Sequence, residues 1–244
     1  MGNDFRPHEI VWTPPKVARF WDYYGANPAY MSQSFSFHSG KAILKYAKKH
    51  ISFSDRRVLD FGCGPGFLLG HLLRKGIPCE GLEFSGEFTE EVRTKFKDSR
   101  LFRGVIQVEK LPVPIPDEEV DIVFLVEVLE HLLEDQLNPT MHEVRRILKR
   151  GGNIIVTVPN EEYLESNKII CPECGCVFHR WQHQRSLTAH NLEALLYGFG
   201  FSAVICKGVF FGLHPLRMIV GRAYRKARRI PEPVPHLIYI GRRT

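Results

Sequence analysis

The chain has no apolar run approaching the ~18 residues that a bilayer-spanning helix needs, so a membrane-embedded protein is not expected. Met1 to Pro15 is polar and proline-bearing, without the apolar centre of a secretory signal, and a cytoplasmic location is expected. Internal repeats and low-complexity tracts are absent, which sets aside repeat architectures and long disordered linkers. Cysteine is sparse, at six in 244 residues, and does not suggest a disulfide framework. Cys63 and Cys79 fall in expected core elements, whereas Cys171, Cys174 and Cys176 cluster, which in a reducing compartment suggests metal. Acids are missing between Leu213 and Ile230. There Arg217, Arg222, Arg225, Lys226, Arg228 and Arg229 account for the whole formal net charge of +6, so the overall charge says little about nucleic acid and the local patch is what needs explaining.

What is present is enough apolar content, 44%, to bury one sizeable α/β core. Phe20 to His50 reads as an aromatic-rich helical cap, with Ser39 as N-cap of a helix over 40–49. Strands are then expected at 57–61, 79–84, 101–105, 120–126 and 153–158, alternating with helices at 67–75, 86–97 and 136–149. That alternation argues a parallel sheet covered by helices on both faces. Residues 159–186 read as a long irregular stretch, the kind that often forms a lid. A helix over 188–199, a strand over 203–210, the basic segment and a last strand over 236–241 complete the chain.

The most informative run is Val58-Leu59-Asp60-Phe61-Gly62-Cys63-Gly64-Pro65-Gly66. An apolar strand ends on a carboxylate and turns through three glycines into a helix. Small residues let such a turn close on a ligand. Dinucleotide sites use the related G-x-G-x-x-G spacing, but here the third glycine comes one residue early and Phe67 stands where that fingerprint needs glycine. Glu83, at the end of the second strand, is placed to accept two hydrogen bonds from a ribose diol, and ligands of open α/β sheets lie beyond the strand carboxyl ends.

The glycine turn with its preceding acid resembles motif I of the class I S-adenosylmethionine-dependent methyltransferases. The stretch Gln107-Val108-Glu109-Lys110-Leu111-Pro112 resembles that family's adenine-contact loop, with Gln107 in place of the usual acid. Residues Asp121 to Leu132 match its fourth strand and following loop. The resemblance covers residues 55–160 well and the flanks loosely. It implies an α/β, Rossmann-like sheet of seven strands, six parallel and the last antiparallel, with an N-terminal helical cap over 1–50. The methyltransferase domain would span 51–244, with a cysteine-bearing lid at 160–186 and a basic helical insertion at 213–230. It also implies S-adenosylmethionine as cofactor, held by Asp60, Phe61, Gly62, Cys63, Gly64, Gly66, Glu83, Phe84, Gln107, Val108 and Glu127, with Asp60 holding the loop and the methionine ammonium.

Acceptor chemistry is less legible. Glu127, Glu130 and His131 form E-x-x-E-H, a spacing shared with ubiquinone-biosynthesis O-methyltransferases and similar to the divalent-metal ligands of small-RNA 3′-terminal 2′-O-methyltransferases. Mg²⁺ there could bind vicinal hydroxyls. The same spacing also occurs in methyltransferases without metal. His183 is a candidate general base and Arg185 an anion clamp, although both could simply pair with acids. Cys171 and Cys174, with His179 and His183 or with Cys176 and one histidine, could instead form a small structural zinc knuckle. Glu130, His131 and His183 are thus the candidate catalytic residues, acting on a small-molecule, glycan or prenylated hydroxyl acceptor. An RNA ribose 2′-O-methyltransferase with a divalent metal and a non-catalytic methyltransferase-like binding protein stand as alternatives. The basic segment reads as an amphipathic helix, either a solvated basic face over a packed apolar stripe or a contact to a membrane surface carrying a lipid-linked acceptor; its single aromatic, Tyr224, disfavours nucleic acid.

Overall fold

The structure, a computed structural model, describes residues 5–211 and 234–244. The expected basic helix over 213–230 lies outside the described residues. The chain opens with β1 (His8–Glu9), α1 (Pro14–Gly25), α2 (Pro28–Met31) and α3 (Phe35–Ala47). The alternating section runs β2 (Val58–Phe61), α4 (Phe67–Arg74), β3 (Cys79–Glu83), α5 (Gly86–Phe96), β4 (Phe102–Gln107), β5 (Val120–Val126), α6 (Glu134–Ile147) and β6 (Leu148–Pro159). Then come β7 (Lys168–Ile170), β8 (Cys176–His179), α7 (Ala189–Gly198), β9 (Phe201–Val209) and β10 (His236–Arg243).

Seven strands form one sheet in the order β4-β3-β2-β5-β6-β10-β9. β10 is antiparallel to both of its neighbours, and the other six strands share one direction. This is the Rossmann-like sheet the sequence implied. All seven residues of β5 are buried, as a parallel strand needs when helices cover both faces. Alternate side chains go to opposite layers. Leu59, Val123 and Leu125 pack with Leu137, Met141 and Val144 of α6 and Leu192 and Leu196 of α7. Val58, Ile122 and Phe124 pack with Ile43 and Leu44 of α3, Leu68, Leu69 and Leu72 of α4 and Val92 of α5.

Two local expectations are corrected. Ser39 is not an N-cap: α3 starts four residues earlier, at Phe35 after Ser34, and Ser39 is buried within it. The stretch 159–186 is not irregular throughout, because β1, β8 and β7 make a second, three-stranded sheet. There β1 pairs parallel with β8, which ties the start of the described chain to the lid. An aromatic cluster reinforces that joint: Trp12 packs edge-on against Phe178 at 6.2 Å, and Tyr24 lies 5.9 Å from Trp181.

Candidate functional site

A crevice of about 1000 Å³ opens beyond the carboxyl ends of β2, β3 and β5. Its walls include the turn 61–65, Glu83, Phe84, Val108, Glu127, His131 and His183, together with Trp21, Tyr24 and Phe35 from the N-terminal helices. The turn is pinned from below, where the Gly62 and Cys63 N–H groups donate to the Leu82 carbonyl at 2.8 and 3.0 Å. A Cβ on Gly62 would come within 2.7 Å of Val128, so that position tolerates no side chain. Gly64 is different. Its φ is +49° and a Cβ there would meet nothing within 4 Å, so the backbone leaves open space on the crevice wall for a ligand.

Glu83 organises this end. One oxygen accepts from Gly64 N at 2.7 Å and the other from Phe84 N and Ser85 N at 2.8 Å each. A carboxylate has about four acceptor positions, so room remains for one further donor, where the sequence reading assigned it two. Burial pushes the Glu83 carboxyl up in pKa, against the pull of those three N–H groups. Burial and the neighbouring Glu83 push Asp60 up further, to about 8.

Three expected cofactor residues do not reach the crevice. Asp60 is buried in β2 and does not line it. Gly66 is the N-cap of α4 at φ +74°, where a Cβ would strike Phe96 and Val92 at 2.9 Å, so its smallness serves helix packing. Gln107 is exposed and its amide lies against Gly86, leaving Val108 to line the wall.

The other end of the crevice is a stack of titratable groups. Glu130 is fully buried, and neither of its oxygens accepts a hydrogen bond among the described residues. Burial and the nearby Glu127 push its carboxyl well up in pKa. His131 Nε2 lies 3.8 Å from Glu130, its Nδ1 has no partner among the described residues, and burial with the adjacent His183 and His179 drives its pKa well down. His131 and His183 meet edge to face at 4.8 Å, and His179 stacks on His183 at 4.4 Å. Glu162 sits between the last two. It is hydrogen-bonded to His183 Nδ1, and its other oxygen is 3.2 Å from His179 Nε2, close but not aligned for a hydrogen bond.

Two His/acid clusters bring potential metal-ligand atoms within 4.8 Å of one another: Glu130/His131/His183 and Glu162/His179/His183. Among the described residues no cysteine joins either, so Cys171 and Cys174 do not assemble with His179 and His183 into the expected zinc knuckle. The cysteines instead sit in the β7–β8 turn, where Gly175 N donates to the Cys171 carbonyl at 2.9 Å. Backbone N–H groups of Cys174 and Glu173 hold the Cys171 thiol below its usual pKa. Arg185 does not face the crevice as an anion clamp: it bonds the Leu129 carbonyl and Glu134, bracing the loop after β5.

Sequence reasoning missed Glu162, Gln182 and His236. Glu162 follows β6 by three residues, a strand-end position that could have drawn notice. Gln182 is fully buried in the lid, and His236 opens β10 at 3.6 Å from Glu127.

A profile described as a methyltransferase domain matches residues 59–156, from β2 through β6. A protein of Mycolicibacterium smegmatis named "probable S-adenosylmethionine-dependent methyltransferase" is 29% identical over 162 residues, 65% of this chain and 57% of that one. Residues 59–156 carry the methyltransferase domain of the class I S-adenosylmethionine-dependent enzymes. A ubiquinone biosynthesis O-methyltransferase of Klebsiella pneumoniae is 30% identical over 107 residues, 43% of each chain. The fold of this family is equally evident in the 1,6-didemethyltoxoflavin-N1-methyltransferase of Burkholderia thailandensis, a structure with bound S-adenosylhomocysteine. It superposes with a TM-score of 0.63 at 16% identity, over 96% of this chain and 92% of that one. This chain spans a little over half the length of the mycobacterial relatives it matches. No helix among the described residues is long and apolar enough to cross a membrane.

Proposed function

We propose that this protein transfers the methyl group of S-adenosylmethionine to a hydroxyl of a small-molecule, glycan or prenylated, lipid-linked acceptor. One observation carries the reading: His183 lines the same crevice as the side-chain-free turn at Gly64 and the carboxylate of Glu83. The donor supplies an already activated methyl, so the protein's part is alignment and removal of the acceptor proton. Glu83 would take a ribose hydroxyl on its remaining acceptor position, Phe84 and Val108 would flank the base, and the open face of Gly64 would admit the donor. His183 would act as general base. Residues 1–50 and the lid 160–186 would close the acceptor side, since Trp21, Glu162 and His183 line one wall. Radiolabelled donor incubated with fractionated lysate tests the reading: a labelled small-molecule or lipid fraction, lost with His183→Ala, supports it. Donor binding without any labelled fraction would favour a non-catalytic binding protein.

A second reading, methylation of RNA ribose assisted by a divalent cation such as Mg²⁺, is favoured by Glu130. A fully buried carboxylate with no hydrogen-bond donor is costly, and a cation shared with His131 and His183 would offset that cost. Glu127 is the additional acid the sequence assigned to that set. Activity that survives chelator and Glu130→Gln removes this reading, and a labelled RNA fraction would revive it.

A further inference from the structure

The stacked histidines carry an inference about proton placement. His179 Nδ1 lies 3.3 Å from the Trp181 N–H and 3.2 Å from the His183 N–H, so this ring nitrogen is an acceptor. A neutral imidazole has one donor and one acceptor nitrogen, which puts the His179 proton on Nε2, facing Glu162. Glu162 accepts from the Asn167 amide at 2.9 Å on one oxygen and meets His183 Nδ1 with the other, the pattern of a carboxylate acting as acceptor on both sides. His183 must then present its own proton from Nδ1. Its Nε2 is left with a lone pair, and the residue lines the crevice.

The same atoms superficially resemble a metal site, because Glu162, His179 and His183 converge within 4.8 Å. The tautomer argues against it. A neutral His179 could ligate through Nε2 only with its proton on Nδ1, the nitrogen that two backbone N–H groups already occupy.

We propose that Glu162 is a positioning residue that fixes His183 as its Nδ1–H tautomer, with Nε2 turned to the acceptor, while Asn167 anchors the other carboxylate oxygen through its amide at 2.9 Å. This rests on the reading of His183 as general base, and adds how that base is oriented and charged. A carboxylate beside the far nitrogen of an imidazole fixes its tautomer and raises its basicity. The groups facing His183 are Glu162 and His179 from the lid and Glu130 and His131 from the loop after β5. Arg180 and Arg185 lie just beyond them.

Nitrogen-15 imidazole spectra of the intact, metal-free wild-type protein test the assignment without any variant. The expected result is His183 protonated at Nδ1 and His179 at Nε2 in their neutral rings. His183 protonated at Nε2 there, or zinc retained stoichiometrically on the three residues, overturns it. In Glu162→Ala the His183 ring loses its acceptor at Nδ1 and should populate both neutral tautomers. The same variant should reduce kcat at least tenfold, with donor binding unchanged. Glu162→Asp should recover part of the loss. An unchanged Nδ1–H tautomer in folded Glu162→Ala overturns the positioning role even if activity falls. The expected tautomers, and their loss in Glu162→Ala, combined with full activity of His183→Gln, would instead leave the positioning role standing and defeat the general-base reading.

Discussion

Trp21 of α1 donates its indole N–H to the side-chain oxygen of Gln182 at 3.2 Å, across 161 positions of sequence. Gln182 is wholly buried and passes the connection on, its amide donating to the His131 carbonyl at 2.8 Å. One side chain therefore joins the N-terminal helices, the lid and the loop after β5. Trp21→Phe keeps most of the ring but leaves a buried amide oxygen without its donor. The expected cost is about 1–3 kcal/mol, read by chemical denaturation, with acceptor KM rising more than donor affinity falls. Unchanged stability would show that the amide finds another donor.

Asp60 should make stability depend on pH. Its folded-state pKa of about 8 lies far above the ordinary carboxylate value, so the folded chain holds a proton that the unfolded chain has released. Stability contributed at this position is then present at acid pH and falls as pH rises from about 4 to 8. Asp60→Asn removes that dependence. Relative to wild type the variant should gain up to about 1.4 kcal/mol for each pH unit in that window, with a plateau above it. Parallel denaturation curves at pH 5 and 8 with the same difference between the two proteins would contradict the assignment.

Gly62 and Gly64 should fail differently when replaced by alanine. At Gly62 the new methyl meets Val128 at 2.7 Å in addition to the strain of φ +79°, so the fold itself should weaken. At Gly64 no atom lies within 4 Å, and only the backbone strain, on the order of 1 kcal/mol, opposes folding. The methyl would instead occupy donor space. Calorimetry should find folded Gly64→Ala binding S-adenosylhomocysteine at least tenfold more weakly. Equal affinity would place the nucleoside elsewhere.

Glu83→Ala removes the acceptor of three backbone N–H groups as well as the proposed ribose contact. Hydrogen bonds to a charged group contribute about 1.5–3 kcal/mol each. Donor affinity should fall tenfold or more, and amide exchange at Gly64 and Ser85 should quicken together. Glu83→Gln, which keeps an acceptor oxygen, should lie between the two.

Much of the alternating half was legible because its strands are dense apolar runs bounded by turns. β5 ends where the sequence placed it, at Val120 and Val126, since every residue in it is buried and neither neighbour extends the run. The glycine turn was legible for a similar reason: local backbone demands leave local traces. Other features depend on distant partners. Two residues, His8 and Glu9, become a strand only because β8 passes beside them. The role of Glu162 depends on two histidines brought over it by the lid, and no spacing rule announces that. Gln107 falls outside the crevice because the facing of one residue, the last of β4, decides between crevice and surface. The cysteine turn read as half of a metal knuckle, but the histidines meant to complete it are held by Glu162.

The insertion of β10 between β6 and β9 has a consequence for how the polypeptide matures. Ile238 and Ile240 sit opposite Thr157 and Ile155 on one side and Lys207 and Ile205 on the other. During synthesis, β6 emerges almost eighty residues before the segment that will occupy its free edge. Until then a long, largely apolar strand presents unpaired backbone groups, the condition that favours intermolecular association. Nascent chains stalled before residue 236 should therefore be chaperone-dependent, and release of the final strand should end that dependence.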